Sequence, residues 1–331
     1  MCERHLNTYA LSKTDLFMPN RTITVAFPII VSIVCSVSLT CTAQLLEHFS
    51  REKLKGYTRV IVTSRNLYGK EVANYKSVYS ITPRGDVFKK EDYEQNKLVG
   101  WEVYEYNDDG KLKSRIVHGQ IFGYSEKTER DTVYLSEDHY YGYLYEHEGN
   151  LLTRIVSTSC SFGSKSVDGV KKIEYDRQGR KVAEVDIDST IGLHGTFLPN
   201  SAILDTLYEK KEASKTTTRH TWSGNKIVSI TRNDKGEVEG YEITELNNHQ
   251  KPVLKKERDA NQRDLRWTSF RYDEKGRVVR EKVELLNLEL ITFDVTSADE
   301  EEIRYNSSSL PIRMITREKG KVISETVIEY Q

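Results

Sequence analysis

One short pattern occurs twice in this chain and constrains its fold more than any other feature. The run Tyr-Asp-Glu-Lys-Gly-Arg begins at Tyr272, and the run Tyr-Asp-Arg-Gln-Gly-Arg begins at Tyr175. Apolar residues in strand-like order follow both runs. Glycine accepts positive φ without a Cβ penalty, so it suits the tight position of a turn. The pattern therefore predicts a β-hairpin whose turn is slightly longer than two residues.

Looser copies of the pattern recur through most of the chain. They begin at Tyr106, Tyr145, Arg232, Leu246, Tyr305 and Thr316. In the C-terminal third the turn centres fall at residues 236, 250, 262 and 276, which leaves room for one strand and one turn per unit. We expect an all-β protein of antiparallel hairpin and meander repeats with at most one or two short helices. The strands would form a long twisted sheet, either open or curled on itself.

The run Tyr-Asp-x-x-Gly-Arg and its looser copies resemble the YD repeat of bacterial exported and cell-surface proteins, which is related to the RHS repeat. The resemblance covers roughly residues 57–331. It implies an exported β-repeat protein. Large members of that family wrap a sheet into a shell around a cargo domain. We expect no such shell here, because the repeats are too few and no toxin-like domain follows them.

The first 43 residues are predicted to be a leader. Residues 1–17 are polar and resemble an over-extended start, whereas residues 18–43 have a cationic start, an apolar core and a small-residue exit. That order is typical of a signal peptide cleaved after Ala43. An uncleaved membrane anchor and a lipid-modified Cys41 are the alternatives. Cys160 is then the one cysteine of the mature chain, which excludes an internal disulfide.

The mature chain is expected to have three parts. An N-terminal β-repeat region covers residues 44–182, and a C-terminal one covers residues 222–331. Between them, residues 183–221 are an irregular insertion, in which residues 201–215 form either a short helix or a strand followed by a charged hairpin. A weak helical stripe is also present in residues 44–55.

Signatures of enzyme chemistry are absent from the sequence. No Gly-x-Ser-x-Gly, His-Glu-x-x-His, phosphate-binding glycine loop or Cys-x-x-Cys occurs, so we predict no cofactor and no catalytic residue. No metal site is predicted: Asp186 and Asp188 could bind Ca²⁺, but two acids on one strand face usually form a solvated surface. The formal net charge of −1 and the mixed signs argue against a nucleic-acid partner.

The segment around residues 134–145 is the best candidate binding site. Strand alternation places Tyr141, Tyr143 and Tyr145 on one face and Tyr140 on the other. A row of tyrosines offers a flat platform with hydroxyl groups that suits a sugar or a peptide. The competing interpretation is a ladder of tyrosines in the core of the repeats.

These observations predict a non-enzymatic protein exported to the periplasm, the outer membrane surface or the extracellular space. Its partner would be an envelope protein or a polysaccharide, and exposed edge strands would allow pairing with a partner strand. An envelope glycan hydrolase or its accessory subunit, with a site in residues 183–221, is one alternative. A structural spacer is another.

Overall fold

The computed structural model describes residues 51–67, 73–125, 130–161, 164–188, 193–197, 204–209, 214–286 and 299–331. The predicted leader lies outside these residues. One short helix, α1 (Arg51–Leu54), precedes the first strand. No helix in the described ranges is long and apolar enough to span a membrane.

The described residues form twenty β-strands. In chain order they are β1 (Arg59–Asn66), β2 (Ala73–Ile81), β3 (Val87–Glu94), β4 (Lys97–Tyr106), β5 (Leu112–Ser125), β6 (Arg130–Glu148), β7 (Leu151–Ser161), β8 (Ser164–Tyr175), β9 (Lys181–Asp188), β10 (Leu193–Phe197), β11 (Leu204–Glu209), β12 (Lys215–Ser223), β13 (Lys226–Arg232), β14 (Val238–Leu246), β15 (Pro252–Asp259), β16 (Asp264–Tyr272), β17 (Val278–Leu285), β18 (Glu300–Tyr305), β19 (Pro311–Glu318) and β20 (Lys321–Tyr330).

Eighteen of these strands close into one antiparallel barrel. Neighbours in sequence pair with each other, and β1 also pairs with the last strand through the register Val60↔Tyr330. Strand β9 pairs directly with β12. Strands β10 and β11 are therefore not part of the ring and form a separate two-stranded hairpin. The prediction of an antiparallel meander with almost no helix is confirmed. The open or merely curled sheet is wrong, because pairing of the first and last strands leaves no free edge among the described strands of the ring.

A five-residue turn explains the pattern that dominates the sequence. In residues 273–277 the N–H of Asp273 donates to the carbonyl of Arg277, and the N–H of Gly276 donates to the carbonyl of Asp273, each at 2.9 Å. The Asp273 carboxylate accepts the N–H groups of Lys275 and Arg277 at 3.0 and 2.9 Å. The same pair of backbone bonds closes the turns at residues 82–86, 107–111, 176–180, 233–237, 247–251, 259–263 and 306–310.

The tyrosine of the pattern has its own role at the barrel rim. Tyr272, the last residue of β16, donates its hydroxyl hydrogen to the carbonyl of Pro252, the first residue of β15, at 2.5 Å. Equivalent bonds of 2.7 to 3.0 Å join the last or penultimate residue of a strand to the start of the preceding barrel strand. They are Tyr106 to Val87, Tyr175 to Leu152, Trp222 to Lys181, Tyr305 to Val278 and Tyr330 to Pro311. We call the edge that carries these six bonds the aromatic rim.

The assignment to the YD-repeat family, together with its RHS-like repeat architecture, is wrong. What the pattern encodes is local: a side-chain oxygen that caps the turn, a fourth residue at positive φ, and an aromatic group that binds the neighbouring strand. Any antiparallel meander needs such turns. The pattern therefore does not distinguish a repeat shell from the closed barrel that these strands form.

The wall of the barrel carries a buried apolar cluster on each face. We call the face that bears Tyr79, Tyr104 and Tyr143 the tyrosine face. There, Leu54 of α1 packs against residues such as Val60 and Tyr79, which have no exposed surface. The second cluster lies on the opposite face and contains Val156, Val167, Val170 and Ile187. Strand β10 lies against β8 beside it.

Residues 183–188 and 215–221 belong to β9 and β12, which are strands of the ring. Between them, β11 (Leu204–Glu209) lies within residues 201–215, so the strand alternative applies to that part of the segment. The division of the chain into domains stays a prediction.

Candidate functional site

The four predicted tyrosines lie on β6, between β5 and β7. Tyr141 and Tyr143 are opposite Val117 and Arg115 of β5, on the tyrosine face, and Tyr145 follows on the same face. Tyr141 is half exposed, whereas Tyr143 and Tyr145 are partly buried. The alternation therefore separates Tyr140 from the other three, as strand geometry requires.

Tyr143 and Tyr145 line an open groove of about 400 Å³ on the tyrosine face. The other lining side chains on this face include Arg115, Ser157, Lys171 and Asp186. Gly169 lies opposite Ser157 in the register, so no side chain rises between β7 and β9 at this position. The groove thus combines two aromatic rings, a hydroxyl group and charges of both signs.

Arg115 is the central cation of this groove. Its guanidinium lies over the Tyr143 ring, 5.5 Å from the centroid. Its Nε donates to Glu102 Oε2 at 2.6 Å, and the Tyr104 hydroxyl donates to the same oxygen at 2.6 Å. These bonds fix the guanidinium against one face of the tyrosine ring.

Buried charges behind Arg115 hold the network in place. Lys90 Nζ lies 3.2 Å from Glu102 Oε1 and 2.8 Å from Asp92 Oδ2, and the Ser77 hydroxyl donates to Asp92 at 2.5 Å. Both Lys90 and Glu102 have side chains only 3% exposed. Burial by itself raises the pKa of Glu102, but Lys90 and Arg115 outweigh it, so this pKa lies below its ordinary value.

Tyr140 belongs to a different cluster on the opposite face. Its ring lies 5.6 Å from that of His118, which stacks on Trp101 with a centroid distance of 4.5 Å and an interplanar angle of 12°. Burial, together with the neighbouring Cys160 thiol, raises the pKa of Tyr140 to about 12. Cys160 itself is a buried free thiol. The four tyrosines therefore do not form one site.

Sequence reasoning missed the polar half of the groove. Arg115 is distant from Tyr143 along the chain, and only the pairing of β5 with β6 brings the two together. Asp186, a conceivable Ca²⁺ ligand on the sequence pattern, lies 3.3 Å from Lys171 in a half-exposed ion pair. Within residues 183–221, where the hydrolase alternative places its site, residues 189–192, 198–203 and 210–213 lie outside the described residues.

The comparisons with known proteins give structural similarities and no family. No family model matches the chain, and no curated protein matches it. A porin-like protein from Bacteroides uniformis is 7% identical, with a TM-score of 0.35 over 83% of this chain and 97% of that one. A porin-like protein from Bacteroides vulgatus is 12% identical, with a TM-score of 0.28 over 83% and 98%. A structure described as TcdB2-TccC3-TEV is 11% identical, with a TM-score of 0.18 over 75% and 17%.

The fold is therefore assigned from the strand pairing of this chain, which closes an antiparallel β-barrel. The same closed barrel contradicts the YD-repeat assignment.

Proposed function

We propose that the protein is an exported, non-enzymatic β-barrel of the cell envelope that binds a glycan in the groove of Tyr143 and Tyr145. The observation that carries the proposal is the position of Arg115, which lies over the Tyr143 ring and is held there by Glu102. Aromatic rings provide contact surface for sugar rings, and a few fixed polar groups select among hydroxyl and carboxylate substituents.

Pre-organisation supports binding at this groove. Arg115 is oriented by a charge-assisted hydrogen bond whose acceptor is buried, so little side-chain freedom would be lost when a ligand arrives. Lys171 and Asp186 lie across the groove from it and offer a donor and an acceptor to a polar ligand. Export is supported by the leader-like composition of residues 18–43.

The test is binding of purified residues 44–331 to a panel of envelope polysaccharides. Tyr143→Ala should weaken binding to the responding glycan by about tenfold or more, or about 1.4 kcal/mol, because the ring contact is lost. Tyr93→Ala removes a partly exposed tyrosine from the opposite face of β3 and is the matched control. Thermal unfolding followed by circular dichroism separates lost binding from lost folding.

The result would contradict the proposal if Tyr143→Ala and Tyr93→Ala bound the glycan equally well. The proposal would also fail if no polysaccharide bound the folded wild-type protein. Capture of one abundant envelope protein by the same chain, without a glycan response, would favour a protein partner instead.

A second candidate function is a pore in the outer membrane. The observation that favours it is the closed ring of eighteen antiparallel strands, an even number within the range of such barrels and wide enough for an aqueous channel. Charged residues on both faces of the wall at β15–β17 argue against a membrane-spanning pore. Lys255 and Glu257 lie on the tyrosine face, while Arg280 and Lys282 lie on the opposite face. A lysine or arginine that faces lipid near the bilayer centre costs about 2–4 kcal/mol.

Membrane fractionation distinguishes the two candidates. A glycan-binding barrel in water should leave envelope membranes during a high-pH wash, whereas a membrane-spanning barrel should require detergent. Ion conductance of the purified protein in planar bilayers would favour the pore.

A further inference from the structure

Two arginines on the opposite face stand directly across from each other. Arg271 of β16 and Arg280 of β17 are register partners, and both side chains are exposed. Like charges at directly opposed positions of an antiparallel pair are destabilising. A pair of this kind therefore costs stability in the free protein unless an anion lies between the two cations.

The surroundings of the pair contain a further cation. Lys282 follows Arg280 on the same face and is opposite Ser269 in the register. A depression of about 390 Å³ is lined by Ser269, Phe270, Arg271, Arg280 and Lys282, without any carboxylate. A surface depression with three cations and one hydroxyl group has the chemistry of an anion site.

The carboxylates nearest to this depression are already used. A neighbouring depression of about 490 Å³ shares Arg271 and Arg280 and adds Arg317 and three carboxylates, those of Asp273, Glu300 and Glu302. Asp273 is paired with Arg277. Glu300 binds Arg280 and lies 3.3 Å from Arg317, and Glu302 lies 3.1 Å from Arg317. Within the described residues, neither Arg271 nor Lys282 forms an ion pair. Lys282 is opposite Glu300 in the register with β18, but Glu300 is already bound by Arg280 and Arg317. The excess of positive charge therefore belongs to Arg271 and Lys282.

We propose that Arg271, Arg280 and Lys282 form a binding site for an oxyanion, a phosphate or carboxylate group carried free or on a larger ligand. The guanidinium of Arg271 offers a planar set of donors, Lys282 adds a point charge, and Ser269 adds a hydroxyl donor. The site lies on the face opposite the glycan groove and on other strands. It does not rest on the proposed function.

The experiment measures thermal stability during titration with sodium phosphate at constant ionic strength, balanced with sodium chloride. Wild-type protein should become more stable as phosphate replaces chloride, because binding to the folded state stabilises it. Arg271→Gln should weaken the apparent phosphate affinity by about tenfold or more, since at least one charge-assisted hydrogen bond is lost. At low salt without phosphate, the same variant should melt at a higher temperature than wild type, because the repulsion from Arg280 is removed.

Arg313→Gln is the matched control. Arg313 lies on the same face, but it is paired with Glu325 at 2.6 Å. This variant should keep the full phosphate response and should not gain stability at low salt. Lys282→Gln is a second test variant and should weaken phosphate binding without disturbing the arginine pair.

Titration with galacturonate in place of phosphate, at the same ionic strength, identifies the source of the anion. A stronger response to the uronate would indicate a carboxylate on a saccharide. The proposal is overturned if chloride stabilises wild type as much as phosphate does, since that result reflects screening alone. Retention of the full phosphate response by Arg271→Gln would also overturn it.

Discussion

Glu102 is a carboxylate almost without solvent contact, and three donors surround it. Lys90 binds one oxygen, while Arg115 and Tyr104 bind the other. Removal of one member of a buried ion pair leaves the partner charged and unsolvated, which costs more than the intact pair contributes. Glu102 therefore controls both the stability of this wall and the orientation of the groove arginine.

Glu102→Gln should lower the free energy of unfolding at neutral pH by about 3 kcal/mol, because Lys90 and Arg115 lose the buried carboxylate that they share and Lys90 keeps only Asp92 as a charge partner. Chemical denaturation at pH 7 measures the loss. Glu91→Gln is the matched control: Glu91 lies on the neighbouring strand β3, on the other face of the barrel wall, and pairs with Lys89 at 2.8 Å, with both side chains partly exposed. Its change should cost less than about 1 kcal/mol. Equal losses for the two variants would show that burial of Glu102 is unimportant.

The pH dependence of Glu102 follows from its lowered pKa. The stabilisation is fully present above the ordinary value of 4.5 and is lost as the pH falls through the lower pKa of the folded state. Wild-type protein should therefore lose more stability between pH 5 and strongly acidic pH than Glu102→Gln does. Denaturation midpoints across this range test the expectation, and parallel curves for the two proteins would contradict it.

At the scale of residues, the sequence predicted which face of the strand each tyrosine side chain lies on, but not which residues it contacts. The period of two along a strand separates Tyr140 from Tyr141, and the structure agrees. The partners of these tyrosines depend on the register between strands. That register is shifted by a β-bulge between His118 and Gln120. No local sequence pattern predicts this bulge. Arg115 was therefore not predictable as the neighbour of Tyr143.

At the scale of elements, the fourth residue of the five-residue turn carries the strain. Glycine occupies it at φ of 71° in residue 276 and 81° in residue 236, but Gln250, Gln262 and Ser309 adopt φ near 60° in equivalent turns. A non-glycine residue in the left-handed region costs roughly 1–2 kcal/mol. The turns at Gln250, Gln262 and Ser309 are therefore weaker than they could be.

Gln262→Gly should raise the free energy of unfolding by about 0.5–1 kcal/mol, because relief of left-handed strain exceeds the added entropy of the unfolded chain. Gly236→Ala should lower it by about 1 kcal/mol through backbone strain alone, since no atom lies within 4 Å of the added Cβ. Gly119→Ala is the control, because that position also has open space but lacks the positive φ. Urea denaturation measures all three. A loss of stability in Gln262→Gly would refute the interpretation.

The hairpin turns were the most predictable elements, because each depends on residues within five positions of one another. The cap at Asp273 and the glycine at residue 276 identify one such turn without any tertiary information. Closure of the ring was not predictable in this way. It pairs Val60 with Tyr330, and neither strand carries a pattern that distinguishes a sheet edge from a closed seam.

At the scale of the whole molecule, the seam between β1 and β20 converts a meander into a barrel. Seven register pairs join the two strands, from Val60↔Tyr330 to Asn66↔Ser324. Both strands also contribute to the cluster around Leu54, through Val60 and Ile328 among others. The seam thus combines backbone pairing with apolar burial, and it removes the two edges that an open sheet would present to other chains.

Thr63→Cys combined with Val327→Cys should form a disulfide across the seam in the folded protein. The two residues are register partners with exposed side chains, and partners in antiparallel strands have Cα atoms about 4.5–5.5 Å apart, which suits a disulfide. Mobility on a non-reducing gel after mild oxidation reports the bond. Thr63→Cys combined with Ser269→Cys is the control, because Ser269 lies on the distant strand β16. Failure of the first pair to crosslink in folded protein would refute the closed ring.

The six bonds of the aromatic rim join strands at the end where the chain itself does not connect them. The chain links β15 to β16 through residues 260–263 at the other rim, and Tyr272 then ties the open ends together through Pro252. Such a pair of strands is joined by a turn at one end and by the aromatic hydrogen bond at the other, and its own sequence supplies both connections. Each pair could therefore be duplicated or deleted as a unit, so barrels of this design would change circumference in steps of two strands and keep an antiparallel seam at every size.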